Sequence, residues 1–360
     1  MTSTTALSGP FQVTVQPSGR SFQVEADETV LAAAIRQGVG LPYGCKDGAC
    51  GSCKCRKLEG SVTHRAHQSK ALNAEEEAAG YVLTCSATAQ TDLVLESRQV
   101  TDESAFPIRK MPSRVQGLEK VSHDVMIVRM QLPANDVMRY HAGQYVEFIL
   151  RDGDRRSYSM ANAPHTMMRS EAGAPAVPVI ELHIRHMPGG KFTDHVFTAM
   201  KEKEILRLEG PYGSFFLRED SDKPMILLAS GTGFAPIKAV IEHMQSKGIT
   251  RPATLYWGGR RPADLYLHEW VRQRCAEMPN LRYVPVVSHA LPEDNWTGRT
   301  GFVHKAVLED VPDLSGHQVY ACGAPVVVDS ARSDYTALAQ LPPEEFFADA
   351  FTTEADKHLG

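Results

Sequence analysis

The sequence of 360 residues predicts a multidomain chain, α+β in its N-terminal part and α/β in its C-terminal part, with an antiparallel β-barrel between them. Three observations predict it. Up to residue 102, strand-like alternation is mixed with short helix signals and one cysteine-rich loop. From 113 to 221, short alternating strands follow one another with little helix, as in an antiparallel barrel. From 222 to 360, apolar strands alternate with helices, which calls for a parallel sheet covered on both faces. Residues 103–112, with two prolines and no periodicity, read as a linker. At roughly 150 residues per domain, the length allows two or three cores.

FQVTVQ and SFQVE, separated by Pro17-Ser18-Gly19, make a β-hairpin. A helix follows, with Asp27 as its cap, Val30, Leu31, Ala34 and Ile35 as its apolar stripe, and Gly38 as its end. KCRKLEGSVTH reads as a strand and turn, Asn73 caps a short helix over AEEEAAG, and YVLTC is a further strand. KVSHDVMIVRMQL, QYVEFIL, RRSYSM, VIELHIRH and ILRLEG supply the barrel strands. The α/β part pairs MILLAS with APIKAVIEHMQSKG, TLYWGG with LYLHEWVRQRCAEM, and QVYACG with VVVDSARSDYTALAQ, with RYVPVVS as another strand.

A net charge of −5 and a pI near 6.3 argue against a nucleic-acid partner, which needs clustered cations. The opening MTSTTALSGPF has no basic stretch followed by an apolar one, and no apolar run approaches the roughly 18 residues of a membrane span. A cytoplasmic protein with no membrane partner is expected. In a reducing compartment, seven cysteines, an odd number, point to metal or redox chemistry before disulfides.

Four of the seven lie in GCKDGACGSCKC, from Gly44 to Cys55. Cys45, Cys50 and Cys53 have the spacing C-x4-C-x2-C, and Cys85 follows on a distant strand, the plant-type [2Fe–2S] pattern. Gly44, Gly48 and Gly51 let the backbone wrap and aim N–H groups at sulfur. A structural zinc site usually uses two close cysteine pairs and fits the x4 gap poorly. Cys55 reads as a small buried side chain, and Cys275 has no assigned role.

In RRSYSMANAP, Arg156 and Tyr158 share one strand face while Ser157 and Ser159 share the other. A guanidinium that grips pyrophosphate beside a flat ring suits a flavin dinucleotide; an exposed Arg–Tyr pair on a barrel strand is the plainer reading. HIRHMPGGKFTDHVF places Gly189 and Gly190 before a helix that opens at Lys191, where free N–H groups suit the same pyrophosphate and Thr193 offers a hydroxyl. LLASGTGFAPIKA ends a strand with Gly231, Thr232 and Gly233 and enters a helix through Pro236. Pro236 stands where the third glycine of G-x-G-x-x-G would be, so this turn either holds a nucleotide phosphate or is a tight turn without a ligand. YACGAP sets Cys322 and Gly323 at the carboxyl edge, where open α/β sheets bind ligands.

Together, the four cysteines, RSYSMAN, GPYG, GTGFAP and YACG resemble the three-part iron–sulfur flavoprotein reductases of the ferredoxin-NADP reductase superfamily, which include the electron-transfer components of aromatic-ring oxygenases. RRSYSMANAP, YWG, YVPVVS, WTG, GFVHKAVLEDVPDLS and FFADAF more narrowly resemble the CDP-6-deoxy-3,4-glucoseen reductases of sugar deoxygenation. The resemblance implies an N-terminal β-grasp ferredoxin domain, a barrel that binds FAD and a domain that binds NAD(P)H. It gives Arg156 a contact to FAD phosphate, sets Tyr158 against the flavin ring and brings Ser159 near its reactive nitrogen. Gly231, Thr232 and Gly233 would cradle the nicotinamide dinucleotide with Cys322 beside its ring, and Phe351 matches an aromatic that some relatives place on the flavin.

The expected electron path is NAD(P)H, FAD, [2Fe–2S], then a separate acceptor protein, since flavin converts a two-electron hydride donor into single electrons. That acceptor is a deoxysugar dehydratase or, alternatively, an oxygenase component; a non-catalytic ferredoxin-like carrier or redox sensor is the alternative of another class. The resemblance favours NADH over NADPH, although Arg260 and Arg261 follow a strand where a cation could take a 2′-phosphate, with Asp264 nearby. Glu75-Glu76-Glu77 reads as the solvated face of a short helix, with partner steering as the alternative.

Overall fold

The computed structural model describes residues 9–100, 106–170 and 175–353. The chain forms two compact units, one of the residues up to 107 with those from 350 onward, the other of 108–349. Residues 103–105 of the expected linker lie outside the described residues, and a strand already begins at Arg109.

The first unit contains β1 (Phe11–Gln16), β2 (Arg20–Val24), α1 (Val30–Arg36), β3 (Lys54–Glu59), β4 (Val62–His64), α2 (Ala74–Ala78), β5 (Tyr81–Leu83), β6 (Ala87–Ala89) and β7 (Leu93–Glu96). Its main sheet runs β2-β1-β7-β3-β5, with β1 and β7 parallel and β4 paired separately with β6. Alternation in β1 buries Val13 and Val15, and α1 lays Val30, Leu31, Ala33 and Ala34 into the same core. Thr29 caps α1, its Oγ1 accepting the Ala32 N–H at 3.3 Å, which corrects the expected cap at Asp27. Asn73 and Glu76 form a capping box on α2. Glu76 also pairs with Lys54 at 2.5 Å and Glu77 with His64 at 3.0 Å, so two of the three acidic side chains are used within the domain.

The second unit begins with β8 (Arg109–Lys120), β9 (Val125–Gln131), β10 (Tyr145–Ile149), β11 (Arg155–Ser159), β12 (Met168–Arg169), β13 (Val177–Arg185), α3 (Lys191–Thr198) and β14 (Ile205–Tyr212). The order β11-β10-β14-β8-β9-β13-β12 is antiparallel throughout. A bridge between Met160 and Leu182 ties the β11 end back to β13 and closes the sheet around Val128, Met130, Phe148, Leu182 and Leu208.

Then come β15 (Met225–Ser230), α4 (Phe234–Lys247), β16 (Ala253–Gly259), α5 (His268–Glu277), β17 (Leu281–Val287), β18 (Arg299–Thr300), α6 (Val303–Asp310), β19 (Gln318–Gly323), α7 (Pro325–Leu338) and β20 (Phe346–Ala350). The sheet order is β18-β17-β16-β15-β19-β20, and β15 to β19 pair in parallel. Its strand β15, buried over all but its last residue, is apolar nearly throughout, as a strand covered on both faces must be. Where β13 faces this domain its polar side is buried too. Lys238 on α4 reaches Glu181 Oε1 at 3.2 Å, Glu242 Oε1 at 2.6 Å and the Ala161 carbonyl at 3.0 Å, while His183 meets the Tyr266 hydroxyl at 2.9 Å. No charge in this group is left unpaired.

Candidate functional site

The cysteine loop fills the chain between α1 and β3. Lys46, Gly48 and Gly51 take φ of 66°, 77° and 73°, the left-handed region that glycine enters without strain. A Cβ on Gly48 would stand 2.8 Å from His67 Cβ, and one on Gly44 would stand 3.3 Å from Cys50 Sγ. The wrap turns amides toward sulfur. The Cys45 N–H lies 3.4 Å from Cys50 Sγ and the Cys50 N–H 3.3 Å from Cys45 Sγ, while Cys85 takes the Gly48 amide. Contact with Cys50, then burial, pushes the Cys45 thiol up; contact with Cys53, then burial, does the same to Cys85. Four free thiols gathered in a cradle of amides are a donor set that a bound iron–sulfur core would complete. Cys55 on β3 is buried, and burial pushes its thiol to about 12, which suits a packing role.

At the end of the barrel, β11 alternates as its sequence predicts. The Tyr158 ring packs 5.4 Å from Phe192 and 6.0 Å from Phe148, and burial raises its phenol. Arg156 Nη2 and Lys191 Nζ both reach Asp154 Oδ2 at 3.3 Å, and Lys191 also holds Asp152 at 2.7 Å. These contacts gather two cations at the start of α3, whose cap is Gly190 and whose first amides lack intrahelical acceptors. A Cβ on Gly190 would meet the Met187 carbonyl at 2.8 Å, and Gly189 has φ 84°. The Thr193 hydroxyl donates to that carbonyl at 2.9 Å and accepts the Met187 N–H at 3.2 Å, so it shapes the turn. Two cations at an eight-residue helix's N-terminus fit a dinucleotide pyrophosphate.

The two turns of the α/β domain meet backbone to backbone. Gly231–Gly233 forms one 3₁₀ turn ahead of α4, and Pro236 lies in the first turn of that helix. A Cβ on Gly233 would fall 2.1 Å from the Cys322 carbonyl oxygen, and one on Gly323, at φ 125°, would fall 2.3 Å from the Ser230 carbonyl oxygen. Only glycine permits this approach. Trp257 Nε1 donates to the Gly231 carbonyl at 3.0 Å and its ring stacks on Phe234 at 4.0 Å, so the turn is held from beneath. Thr232 is buried within it.

Sequence reading missed two residues here. Ser159 donates to Asp349 Oδ2 at 2.9 Å, and both are buried. The same carboxylate acts on Cys322, whose thiol is pushed well up by burial and then by Asp349. Asp349 thus joins the barrel strand to the carboxyl edge of β19, 190 residues from Ser159 along the chain. The second is Arg185, at the end of β13. Its Nε bonds Asp124 at 2.7 Å, and its Nη1 stands 3.8 Å from where a Cβ on Gly231 would lie. A barrel cation therefore overlooks the turn that the resemblance assigns to the nicotinamide dinucleotide. Phe351 lies just past β20, half-buried, and groups with the first unit.

Comparison with known proteins agrees with these parts. Residues 13–90 match the 2Fe-2S iron-sulfur cluster binding domain, 112–217 the Oxidoreductase FAD-binding domain and 227–333 the Oxidoreductase NAD-binding domain. The CDP-6-deoxy-L-threo-D-glycero-4-hexulose-3-dehydrase reductase of Yersinia pseudotuberculosis is 39% identical over 94% of this chain and 98% of its own length. The phenol hydroxylase P5 protein of Acinetobacter pittii is 35% identical over 97% of each chain. Among solved structures, the Amycolatopsis cytochrome P450 reductase GcoB is 32% identical with a TM-score of 0.75, over 95% of this chain and 99% of that one. Among the described residues no helix is long and apolar enough to cross a membrane. The chain belongs to the iron–sulfur flavoprotein reductases built from a 2Fe-2S domain, an FAD-binding barrel and an NAD-binding α/β domain, oxidoreductases that carry electrons from a nicotinamide donor to a partner protein.

Proposed function

We propose that this chain is an NADH-dependent reductase of the cytoplasm that feeds a deoxysugar dehydratase. The observation that carries its chemistry is the convergence of Ser159 and Cys322 on the buried Asp349. Flavin, when bound, would supply the conversion of a hydride into single electrons. The chain's own residues do the positioning. Arg156, Lys191 and the Lys191 amide hold one pyrophosphate, with Gly189, Gly190 and Thr193 shaping the turn, where the Gly189 N–H donates to Asp194 Oδ2 and the Gly190 N–H to the Met187 carbonyl; Gly231, Thr232, Gly233 and Gly323 admit the other. Tyr158 packs as a flat wall, Cys322 walls the nicotinamide end, and Ser159 offers a hydroxyl whose proton Asp349 orients. Cys45, Cys50, Cys53 and Cys85 hold the cluster. We place domain boundaries at 1–102, 113–221 and 222–360.

Dehydratase service is supported by the 39% identity to the Yersinia reductase, which extends over nearly the full length of both chains. A second reading, service to an oxygenase, is supported by the phenol hydroxylase protein and by a terephthalate 1,2-dioxygenase reductase component of Comamonas, 34% identical over 95% of this chain. The test offers the NADH-reduced protein, without oxygen, to a CDP-hexulose dehydratase with its substrate. Reoxidation coupled to deoxysugar formation is expected. Reoxidation only on adding an oxygenase component with oxygen would overturn the first reading, and NADH that bleaches flavin while the cluster stays oxidised would overturn the electron order.

A further inference from the structure

In a doubly wound sheet, the residues just past the strand beside the phosphate turn face the adenosine ribose; an acid there holds a 2′-hydroxyl, and an arginine accommodates a 2′-phosphate. Here that strand is β16, paired in parallel with β15, and Arg260 and Arg261 follow Gly259 at its end. Two arginines in that place would ordinarily favour NADPH. The turn is folded tightly, since Asp264 Oδ2 accepts the Arg260 and Arg261 N–H groups at 2.8 and 2.9 Å and a Cβ on Gly259 would stand 2.8 Å from Asp264 Cβ.

The guanidinium of Arg261 is already engaged. Its Nε lies 2.6 Å from Asp294 Oδ2 and its Nη2 2.7 Å from Asp294 Oδ1, a two-pronged pair, with Glu293 Oε1 a further 3.6 Å from Nη2. Asp294 is itself anchored, because its Oδ2 accepts the Leu291 N–H at 2.8 Å. The carboxylate comes from the loop after β17, so the pairing spans 33 residues. Planar fork-to-carboxylate pairing is the geometry by which a guanidinium would hold phosphate, so the two acceptors compete for the same donors.

We propose that Asp294 is a selectivity device, a positioning residue that withholds Arg261 from a 2′-phosphate and so favours NADH. The inference rests on the NADH reading above and gives it a cause. It also makes the selectivity reversible by one substitution: Asp294→Asn keeps an acceptor for the Leu291 amide and removes the charge that holds the guanidinium.

The experiment measures kcat and KM for both nucleotides on the FAD-loaded, cluster-loaded protein, in wild type, Asp294→Asn, Arg261→Ala and the double variant. The readout is the ratio of kcat/KM for NADPH to that for NADH, in which any loss of folded enzyme cancels. Asp294→Asn is expected to raise the ratio about tenfold, mainly through KM for NADPH, as one freed charge-assisted hydrogen-bonding group would. Arg261→Ala alone is expected to leave the ratio within about twofold, and the double variant to return to the wild-type value, because the gain runs through Arg261. An Asp294→Asn ratio within about threefold of wild type, or the same rise in the double variant, overturns the inference while the NADH reading stands. A wild-type preference for NADPH overturns both, and does so before any variant is compared.

Discussion

The cysteine loop, proposed for the cluster, and the flavin–nucleotide face of the barrel and α/β domains, proposed for the phosphates, use different hydrogen-bond donors. In the loop the donors are backbone amides, fixed by glycines at φ 77° and 73° and by the turn at Lys46. On the other face they are side-chain cations, each already paired with a carboxylate: Arg156 with Asp154, Lys191 with Asp152 and Asp154, Arg185 with Asp124, and Arg261 with Asp294. A resident cluster never leaves, so donors that cannot swing away suit it. A nucleotide comes and goes, and a cation prepaired with a carboxylate is not stranded when the site empties. The contrast predicts that damage to a fixed donor removes the group, whereas damage to an exchangeable one changes affinity.

The largest effect should therefore come from Gly48→Ala. The new methyl meets His67 Cβ at 2.8 Å in a backbone conformation at φ 77°, where strain of about 1–3 kcal/mol is expected. Iron and acid-labile sulfide should fall well below wild type while FAD content is kept, as checked by metal, sulfide and flavin analysis of the same preparation. Wild-type iron in this variant would break the comparison. Next in size is Ser159→Ala, which removes a buried donor to Asp349. NADH-driven bleaching in stopped flow should slow about 10²-fold at unchanged FAD content, the scale for losing one preorganised hydrogen bond at a reacting centre. An unaltered rate would reduce Asp349 to a structural tie.

Smaller still is Arg185→Ala. A partly exposed cation already shared with Asp124 should contribute affinity more than rate. KM for NADH is expected to rise about fivefold with kcat nearly constant, and the rise should shrink at high salt. A fall in kcat with KM unchanged would mean that Arg185 acts on the chemical step.

The same division explains what could be read from sequence. Three of the four cysteines proposed for the cluster sit within nine residues, and their spacing is what suggests the chemistry. The tight turns at Gly189–Gly190, Gly231–Gly233 and Gly323 were visible for the same reason, since backbone geometry is written locally. Asp27 and Thr29 are both good caps two residues apart, and sequence alone favoured the wrong one; the Thr29 hydroxyl is the one that reaches an open amide. Asp349, Arg185 and Asp294 were missed because each acquires its role from a partner far along the chain: Ser159, the Gly231 turn and Arg261. Alternation in β13 marks Glu181 and His183 as a polar face, and nothing local says that α4 will cover it.

That covered face gives the smallest effect and a way to sharpen the comparison, because its charges are fixed as firmly as the loop amides. His183 lies between Glu181 Oε1 at 3.3 Å and the Tyr266 hydroxyl at 2.9 Å. Burial lowers its pKa from the ordinary 6.5, against the pull of Glu181. Burial also pushes the Glu181 carboxyl up, but the His183 hydrogen bond and the charges of Lys238 and Arg169 hold it well below the usual range, so it stays ionised. A histidine depressed in the folded state binds its proton more readily when unfolded, so its stabilising share is full above about pH 6.5 and is lost as pH falls from there through the folded value. Lys238, Arg129 and Arg169 face the same cluster. Melting temperatures of wild type and His183→Gln at pH 7.5 and 5.5 should differ in their drop by about 2–4 °C, wild type losing more, which corresponds to about 1 kcal/mol in a unit of this size. Equal drops would place the acid sensitivity elsewhere, and the covered face would then behave like the exchangeable pairs at the nucleotide edge.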